Sequence, residues 1–233
     1  MAGPLDELSK VVSTCTSCGL FEGRHSTVFG SGPHDAPLMI IGEALGADEN
    51  RNGLPFVGRA GKLLSQLLEA ARVPESSIYK TNILKCQPPK NRFPAGGEEP
   101  EICRGYLLKQ IEVINPRAII LTGKQALRYL LLHNTTEQWE ILTPWINRQY
   151  RRRQDFGDTR FLIVYHPSYL MRSNNEEDQE AWVQSVAQLW AFVEHKIAGT
   201  APAPTVFKEI RVPPTIPRMG RNLFTRGQRG KVL

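Results

Sequence analysis

Four cysteines are the residues of this 233-residue chain best suited to binding a metal. Cys15 and Cys18 form a Cys-x-x-Cys pair near the amino terminus, and Cys86 and Cys103 follow much later. In an intracellular chain such a set is more typical of a metal site than of two disulfides. No nearby histidine completes a Cys2His2 pattern, so the cysteines predict either zinc or an iron–sulfur cluster, and their spacing does not separate the two. Taken singly, Cys86 and Cys103 are typical of small buried apolar residues.

A second group of candidate residues lies in the stretch GEALGADENRNGLPFVGRAG, residues 42–61. It follows an apolar run directly, and two of its three acids, Glu43 and Glu49, could support charge or orient water. Its glycines would let the backbone come close to a ligand. The Gly-x-Gly-x-x-Gly spacing of a dinucleotide site is absent. By itself this stretch is equally typical of a strand-to-helix loop with a solvated acidic patch.

Polar side chains also follow two other apolar runs. Asn82 lies near the end of SIYKTNIL, and His166 ends RFLIVYH. An asparagine amide can accept and donate hydrogen bonds at once, and a neutral imidazole can donate one N–H to a developing anion. Either residue could instead be a structural residue at the end of a strand.

These candidate residues must be positioned by alternating strands and helices. The strands are short and rich in Ile, Leu and Val, which is typical of strands buried on both faces. They cover Pro37–Gly42, Ser77–Leu84, Arg117–Gly123 and Arg160–His166. Helical periodicity follows in GKLLSQLLEAAR, EICRGYLLKQIEVI, GKQALRYLLL and DQEAWVQSVAQLWAFVEHKI. The order predicts an α/β fold of three αβα layers around a central four-stranded, mostly parallel sheet, with the site beyond the carboxyl ends of its strands.

Charge divides the chain into two parts. Residues 201–233 contain seven basic residues and one acid, whereas the first 200 residues are neutral overall, so the net charge of +6 belongs to the tail. Its Pro-, Gly- and Arg-rich composition predicts disorder, and we assign residues 1–198 to one domain and 199–233 to the tail. No apolar run could span a bilayer and the start lacks a signal peptide, so we expect an intracellular protein that does not bind membranes.

In combination these stretches resemble the family 4 uracil-DNA glycosylases, the iron–sulfur branch of the uracil-DNA glycosylase superfamily. Four motifs occur in the family's order: CTSC, GEALGADEN with GLPFVGRAG, TNILKCQPPKNRFP, and HPSYLMR. The resemblance implies a monomeric, nucleoid-associated enzyme that flips uracil out of single- or double-stranded DNA and hydrolyses its glycosidic bond. It also implies a [4Fe–4S] cluster bound by Cys15, Cys18, Cys86 and Cys103.

The resemblance further implies roles for single residues of the catalytic site. His166 would donate to uracil O2 as negative charge develops, and Glu43 would position water or offset the sugar cation. Glu49 is a second candidate for this electrostatic role. No lysine stands where an amine nucleophile is expected, so we predict hydrolysis without strand cleavage.

The same resemblance implies contacts to the base and to DNA. Asn82 would accept from uracil N3–H and donate to O4, and Phe56 would stack on the extruded base. The backbone of Ala44 and the side chain of Asn91 would complete the pocket. Further residues would contact DNA: Ser168, Lys90, Arg92 and Arg172 at phosphates, and Tyr169, Leu170 and Met171 as an apolar wedge at the surface. The basic run RQYRRRQ, residues 148–154, predicts a hairpin or surface loop.

Two residues depart from the family pattern. Leu45 stands where proline is usual, and Asn50 stands where an acid often follows Glu49. These departures and the basic tail leave an alternative, a non-catalytic iron–sulfur module that binds DNA and recruits an unknown partner through the tail. Intact Glu43 and His166 favour the enzyme. The segment KNRFPAGGEE is short and lacks histidine, which argues against a relative that cross-links to DNA.

Overall fold

The computed structural model describes residues 3–137, 140–200 and 207–210. This part of the chain contains the strands β1 Leu38–Gly42, β2 Ile78–Asn82, β3 Ala118–Thr122, β4 Arg148–Arg151, β5 Arg160–Val164 and β6 Phe207–Glu209. They form one sheet in the order β2-β1-β3-β5-β4-β6. The first four of these are parallel neighbours, β4 is antiparallel to β5, and β6 is parallel to β4.

Helices cover both faces of the sheet. They are α1 Pro4–Ser13, α2 Ala47–Asn52, α3 Arg59–Ala70, α4 Glu99–Ile114, α5 Lys124–Ala126, α6 Arg153–Phe156, α7 Pro167–Ser173 and α8 Glu176–Ile197. A π-helical turn, Leu127–Leu131, continues α5, and short 3-10 turns cover Gly19–Phe21, Glu75–Ser77, Pro89–Asn91 and Thr143–Trp145. None of the helices in the described ranges is long and apolar enough to cross a membrane.

Successive residues of β1 face opposite layers. Leu38 and Ile40 belong to one core cluster with residues of α3 and α8, whereas Met39 and Ile41 belong to another with residues of α1 and α4. Every residue of β1, β3 and β5 is buried. Burial on both faces removes the alternation of polar and apolar residues that a half-exposed strand would show. The predicted three-layer α/β fold is confirmed.

The sheet has two strands more than the four predicted. β4 lies in the basic run that was expected to form a hairpin or surface loop, and β6 lies in the expected tail. The ring of Phe207 lies between two guanidinium groups, 4.1 Å from that of Arg151 and 3.9 Å from that of Arg160. Long arginine side chains can cover an aromatic face while keeping their charge. A stretch this rich in charge can therefore form a strand within the sheet, between β5 and β6.

The predicted boundary after residue 198 leaves β6 outside the domain, whereas the structure pairs β6 with β4. Ile210, which follows β6, is 1% exposed. Residues 207–210 therefore belong to the folded body. Residues 201–206 and 211–233 lie outside the described residues, and the disorder expected for them stays a prediction.

Candidate active site

The end of β1 brings the amide of Asn82 and the ring of Phe56 together. Gly42 pairs with Asn82 in the register of β1 and β2. A Cβ atom at Gly42 would overlap Oδ1 of Asn82 and would lie 2.8 Å from Cζ of Phe56. Glycine therefore leaves the space in which these two side chains meet. Phe56 has a left-handed backbone with φ of 56°, and Gly61 lets the carbonyl group of Phe56 pack directly against α3.

The Asn82 amide has no hydrogen-bond partner in the part of the chain that the structure describes, although the residue is only 3% exposed. Buried amides are nearly always hydrogen-bonded, because an unpaired polar group loses its bonds to water. An amide held at the end of a strand without a protein partner indicates a ligand-binding group. This geometry favours the predicted binding role over a structural asparagine.

Glu43 and His166 both lie beside Gly123, on the other side of β1 from Asn82. A Cβ atom at Gly123, which has φ of 92°, would lie 2.5 Å from Oε1 of Glu43 and 3.5 Å from Cβ of His166. Oε1 of Glu43 accepts the backbone N–H of Gln125 over 3.1 Å. Burial raises the pKa of the Glu43 carboxyl, and the Gln125 N–H and the charge of Lys124 oppose that change. Glu43 is thus a partly buried carboxylate held beside the histidine.

The protonation of His166 follows from its position as the N-cap of α7. Its Nδ1 accepts the backbone N–H of Ser168 over 3.1 Å and lies 2.8 Å from Oγ of Ser168. Because a backbone N–H can only donate, Nδ1 carries no proton, and the neutral ring carries its hydrogen on Nε2. Burial, with the charge of Arg172, lowers the pKa of His166 to about 4, against the opposing charge of Glu49. His166 is therefore a neutral N–H donor at pH 7.

Glu49 is held by backbone on both sides of its carboxylate. Its Oε2 accepts the N–H of Gly46, and its Oε1 accepts the N–H groups of Val57 and Gly58, all within 3.1 Å. These bonds connect the start of α2 to the segment that carries Phe56. The contacts favour a positioning role for Glu49, and they leave Glu43 as the better candidate to orient water.

Residues around α7 divide between the core and the surface. Leu170 is fully buried in the cluster of α3 and α8, so its predicted place in a surface wedge is wrong. Helical periodicity turns Leu170 inward while its neighbour Tyr169 stays 40% exposed. Tyr169 stacks on Tyr165 with ring centroids 4.5 Å apart. Met171 is partly buried and Arg172 is exposed.

The loop after β2 carries the remaining predicted DNA contacts. Lys90, Asn91 and Arg92 are exposed, and the first two have left-handed φ values of 56° and 54°. Oδ1 of Asn91 accepts Nε2 of Gln87 over 2.7 Å. Ala44 lies elsewhere, packed against the cluster of Leu84, Cys86 and Cys103. The loop residues are therefore available to a ligand that approaches from outside.

The four cysteines line one small cavity, together with Arg24, Lys85 and Tyr106. Among the described residues no three His, Cys, Asp or Glu side chains are placed to hold a single metal ion. Arg24 donates to the backbone oxygen of Cys15 over 2.6 Å and lies 3.6 Å from Sγ of Cys86. Tyr106 donates to Sγ of Cys15 over 3.2 Å.

Lys85 also lines this cavity and was not singled out from the sequence. It is 1% exposed, and its ammonium group donates to Oγ1 of Thr81, the backbone oxygen of Asn82 and Oε1 of Gln110. Burial lowers the pKa of Lys85 to about 7, and the nearby Cys103 sulfur opposes this. Lysines are seldom fully buried, so a sequence offers little reason to expect one here. The available signal is its place between a buried strand and a candidate metal ligand.

Comparisons with known proteins agree with this geometry. The profile of the uracil DNA glycosylase superfamily matches residues 29–190. A type-4 uracil-DNA glycosylase from Thermotoga maritima is 32% identical over 193 residues, covering 82% of this chain and 95% of that protein. The type-4 enzyme of Pyrobaculum aerophilum is 36% identical over 168 residues, which cover 72% of this chain and 85% of that protein. The type-4 enzyme of Saccharolobus solfataricus is 43% identical over 129 residues, which cover 54% of this chain and 58% of that protein. The resemblance seen in the motifs is confirmed, and the chain belongs to the uracil DNA glycosylase superfamily, in its type-4 group.

Proposed function

We propose that this chain is a monofunctional uracil-DNA glycosylase, which extrudes uracil from DNA and hydrolyses its N-glycosidic bond to leave an abasic site. The observation that carries the proposal is the unpaired, nearly buried amide of Asn82 beside Phe56 at the end of the sheet. The type-4 relatives are named for the same activity. The alternative of a non-catalytic DNA-binding module is not favoured.

Asn82 reads the base. Its Oδ1 accepts from N3–H of uracil and its Nδ2 donates to O4, whereas cytosine presents an acceptor at N3 and a donor at C4. With cytosine, Oδ1 of Asn82 would face the acceptor N3, and Nδ2 would face the amino donor at C4. Neither hydrogen bond could form, and each unpaired buried group costs about 1–3 kcal/mol. Phe56 supplies the flat surface on which an extruded pyrimidine stacks.

The bond between N1 of uracil and C1′ of the sugar breaks with both electrons leaving on the base. The Nε2–H of neutral His166 donates a hydrogen bond to O2, where the negative charge collects, and the ring does not need a second proton for this. Glu43 offsets the positive charge on the sugar and orients the water whose oxygen attacks C1′. A proton of that water is then lost as the abasic sugar forms. The raised pKa of Glu43 helps it to take up that proton.

DNA contacts surround this pocket. Tyr169, supported by Tyr165, and Met171 enter the gap that the extruded nucleotide leaves. The exposed cations Lys90, Arg92 and Arg172 contact phosphates, and Ser168 has the double role of orienting His166 and meeting the backbone. Each chain has one pocket for one extruded base, so we expect a monomer. We also expect the protein to be cytoplasmic and associated with the nucleoid.

Cys15, Cys18, Cys86 and Cys103 would hold a [4Fe–4S] cluster. The donor set fits, because four sulfurs line one cavity and two cations, Arg24 and Lys85, lie beside it to offset thiolate charge. The bound cluster would supply covalent attachment between the amino-terminal segment, the chain after β2 and α4. Cys86→Ala should lose iron and melt at a lower temperature. Loss of iron with unchanged melting and activity would exclude this anchoring role.

A single-turnover assay tests the proposed activity. Micromolar protein is incubated with an oligonucleotide duplex that contains one deoxyuridine, and abasic sites are revealed by alkali cleavage. Removing one donor to a developing oxyanion slows catalysis by about 10²–10³, which is the loss expected for His166→Ala. The matched control is His195→Ala, on the exposed side of α8. A wild-type protein that makes no abasic product would overturn the proposal.

A further inference from the structure

Three amide side chains form a chain of hydrogen bonds from α2 to the loop after β2. Nδ2 of Asn50 donates to Oε1 of Gln87 over 2.8 Å, and Nε2 of Gln87 donates to Oδ1 of Asn91 over 2.7 Å. We call Asn50, Gln87 and Asn91 the amide relay. It starts at the position where the sequence departs from its family and ends at an exposed residue of the DNA-facing loop.

The direction of the amide relay is fixed at its first member. Oδ1 of Asn50 accepts the backbone N–H groups of His25 and Ser26, over 3.0 and 3.3 Å. Backbone N–H groups only donate, so the oxygen of Asn50 must face them and its NH2 must face Gln87. Gln87 is then oriented with its NH2 toward Asn91. The oxygen of Asn91 is occupied, and its NH2 is the group left for an outside partner.

We propose that Asn50 is a positioning residue that, through Gln87, makes Asn91 present an N–H donor to a phosphate oxygen of DNA. The proposal rests on the proposed function, since it needs DNA at this rim. Nδ2 of Asn91 has no partner in the described part of the chain, and exposed Lys90 and Arg92 flank it. A phosphate oxygen is an acceptor only, so it discriminates between the two ends of an amide.

An acid at position 50 would reverse the amide relay. One carboxylate oxygen of an aspartate could still accept from His25 and Ser26, but the other could only accept from Gln87. The Gln87 amide would turn over and accept from Nδ2 of Asn91. The oxygen of Asn91 would then face the phosphate and repel it. Residue 50 thus determines whether this part of the rim attracts or repels the DNA backbone.

The test measures affinity for a DNA duplex carrying a tetrahydrofuran abasic-site analogue, by fluorescence anisotropy. Asn50→Asp should weaken binding about tenfold, which corresponds to roughly 1.4 kcal/mol. Asn52→Asp adds the same charge at the exposed end of α2 outside the amide relay and should weaken binding less than about threefold, because exposed charges are screened. The single-turnover cleavage rate of Asn50→Asp at saturating enzyme should stay within about twofold of wild type. A contact to phosphate that is equally strong in the bound ground state and in the transition state changes the affinity for DNA and not the cleavage rate.

A second background separates relay reversal from misfolding. Gln87→Met breaks the amide relay, so adding Asn50→Asp to it should cost no more than Asn52→Asp does. Equal losses for Asn50→Asp and Asn52→Asp, or an Asn50→Asp loss that persists in the Gln87→Met background, would overturn the proposal. The ligand carries no scissile base, so binding is measured whether or not the chain hydrolyses uracil. Wild-type cleavage combined with either contrary result would reject the relay alone.

Discussion

Lys85 donates a hydrogen bond over 2.8 Å to the backbone oxygen of Asn82, and it does so from the wall of the cysteine cavity. One buried lysine therefore contacts both the proposed cluster site and the strand end that carries the candidate base-binding amide of Asn82. All three ammonium hydrogens are used, with Thr81 and Gln110 as the other acceptors. The backbone at Asn82 is therefore held by a buried lysine of the neighbouring turn.

Replacing Lys85 by methionine should destabilise the protein strongly. The change preserves most of the side-chain volume but leaves three buried acceptors without their donor, and we expect the free energy of unfolding to fall by about 3 kcal/mol. Urea denaturation measures the change. Lys109→Met is the matched control, because the Lys109 ammonium pairs with Glu112 at the surface. Similar urea midpoints for the two variants would contradict the structural importance of Lys85.

Replacing Asn82 by alanine should separate activity from stability. Its amide has no partner within the described chain, so we expect a change in unfolding free energy below about 1 kcal/mol. Loss of two hydrogen bonds to the base should slow single-turnover cleavage about 100-fold. A structural asparagine would behave in the opposite way, with a lower melting temperature and nearly normal cleavage.

Stability should depend on pH through His166. Its pKa is about 4 in the folded protein against 6.5 for the free side chain, so the unfolded chain binds more protons between these values. The free energy of unfolding therefore falls as the pH falls from 6.5 toward 4, by up to about 1.4 kcal/mol per pH unit. His166→Asn should show a shallower slope in urea titrations over this range. Equal slopes for wild type and variant would contradict burial of a neutral ring, and His25→Asn, at an exposed histidine, provides the control.

Adding one methyl group at Gly42 should block the pocket. The new Cβ would overlap Oδ1 of Asn82 and crowd Phe56, so we expect Gly42→Ala to lose at least about tenfold in cleavage rate. Gly105→Ala is the control, since no heavy atom lies within 4 Å of the added Cβ inside α4. That change should stabilise the helix by about 0.5–1 kcal/mol and leave cleavage unchanged. Full activity in Gly42→Ala would place the base elsewhere.

Neighbouring residues of α7 should respond differently to alanine. Leu170→Ala removes a fully buried side chain and should lower the unfolding free energy by about 2–5 kcal/mol. Tyr169→Ala should change stability little and should weaken binding to uracil-containing duplex, because the ring lies at the surface. Thermal melts and anisotropy titrations distinguish the two variants. A Tyr169→Ala protein that binds DNA normally would remove this residue from the wedge.

The sequence was informative where several properties agreed. The strands β1, β3 and β5 are short apolar runs, so their position could be predicted, and with it the edge of the sheet on which the candidate site lies. Asn82 and Phe56 lie beside Gly42, and Glu43 and His166 lie beside Gly123, at the edge where the parallel strands end. The remaining features depend on contacts between residues that are distant in the sequence, and a local sequence pattern does not predict such contacts.

β4 shows what local patterns miss. The basic run that contains Arg148–Arg151 predicts a hairpin or a surface loop, and its antiparallel pairing with β5 agrees with the hairpin. Its further pairing with β6 and the stacking of Phe207 on Arg151 could not be predicted from the run itself. Leu170 is a similar case, because an apolar residue in a short helix can face either side. The bonds of Lys85 and of the amide relay join residues that are distant in sequence as well as near neighbours. Such long-range partners become visible only when the chain is folded.

The position of β6 has a practical consequence for the design of truncated versions of this protein. A version ending at residue 198, where the composition changes, would strip the outer edge of β4 and leave its free N–H and C=O groups open to water. Bare sheet edges pair readily with other copies of the same chain. Shortened preparations should therefore keep residues 207–210, since β6 covers the edge of β4 and hinders its pairing with other copies.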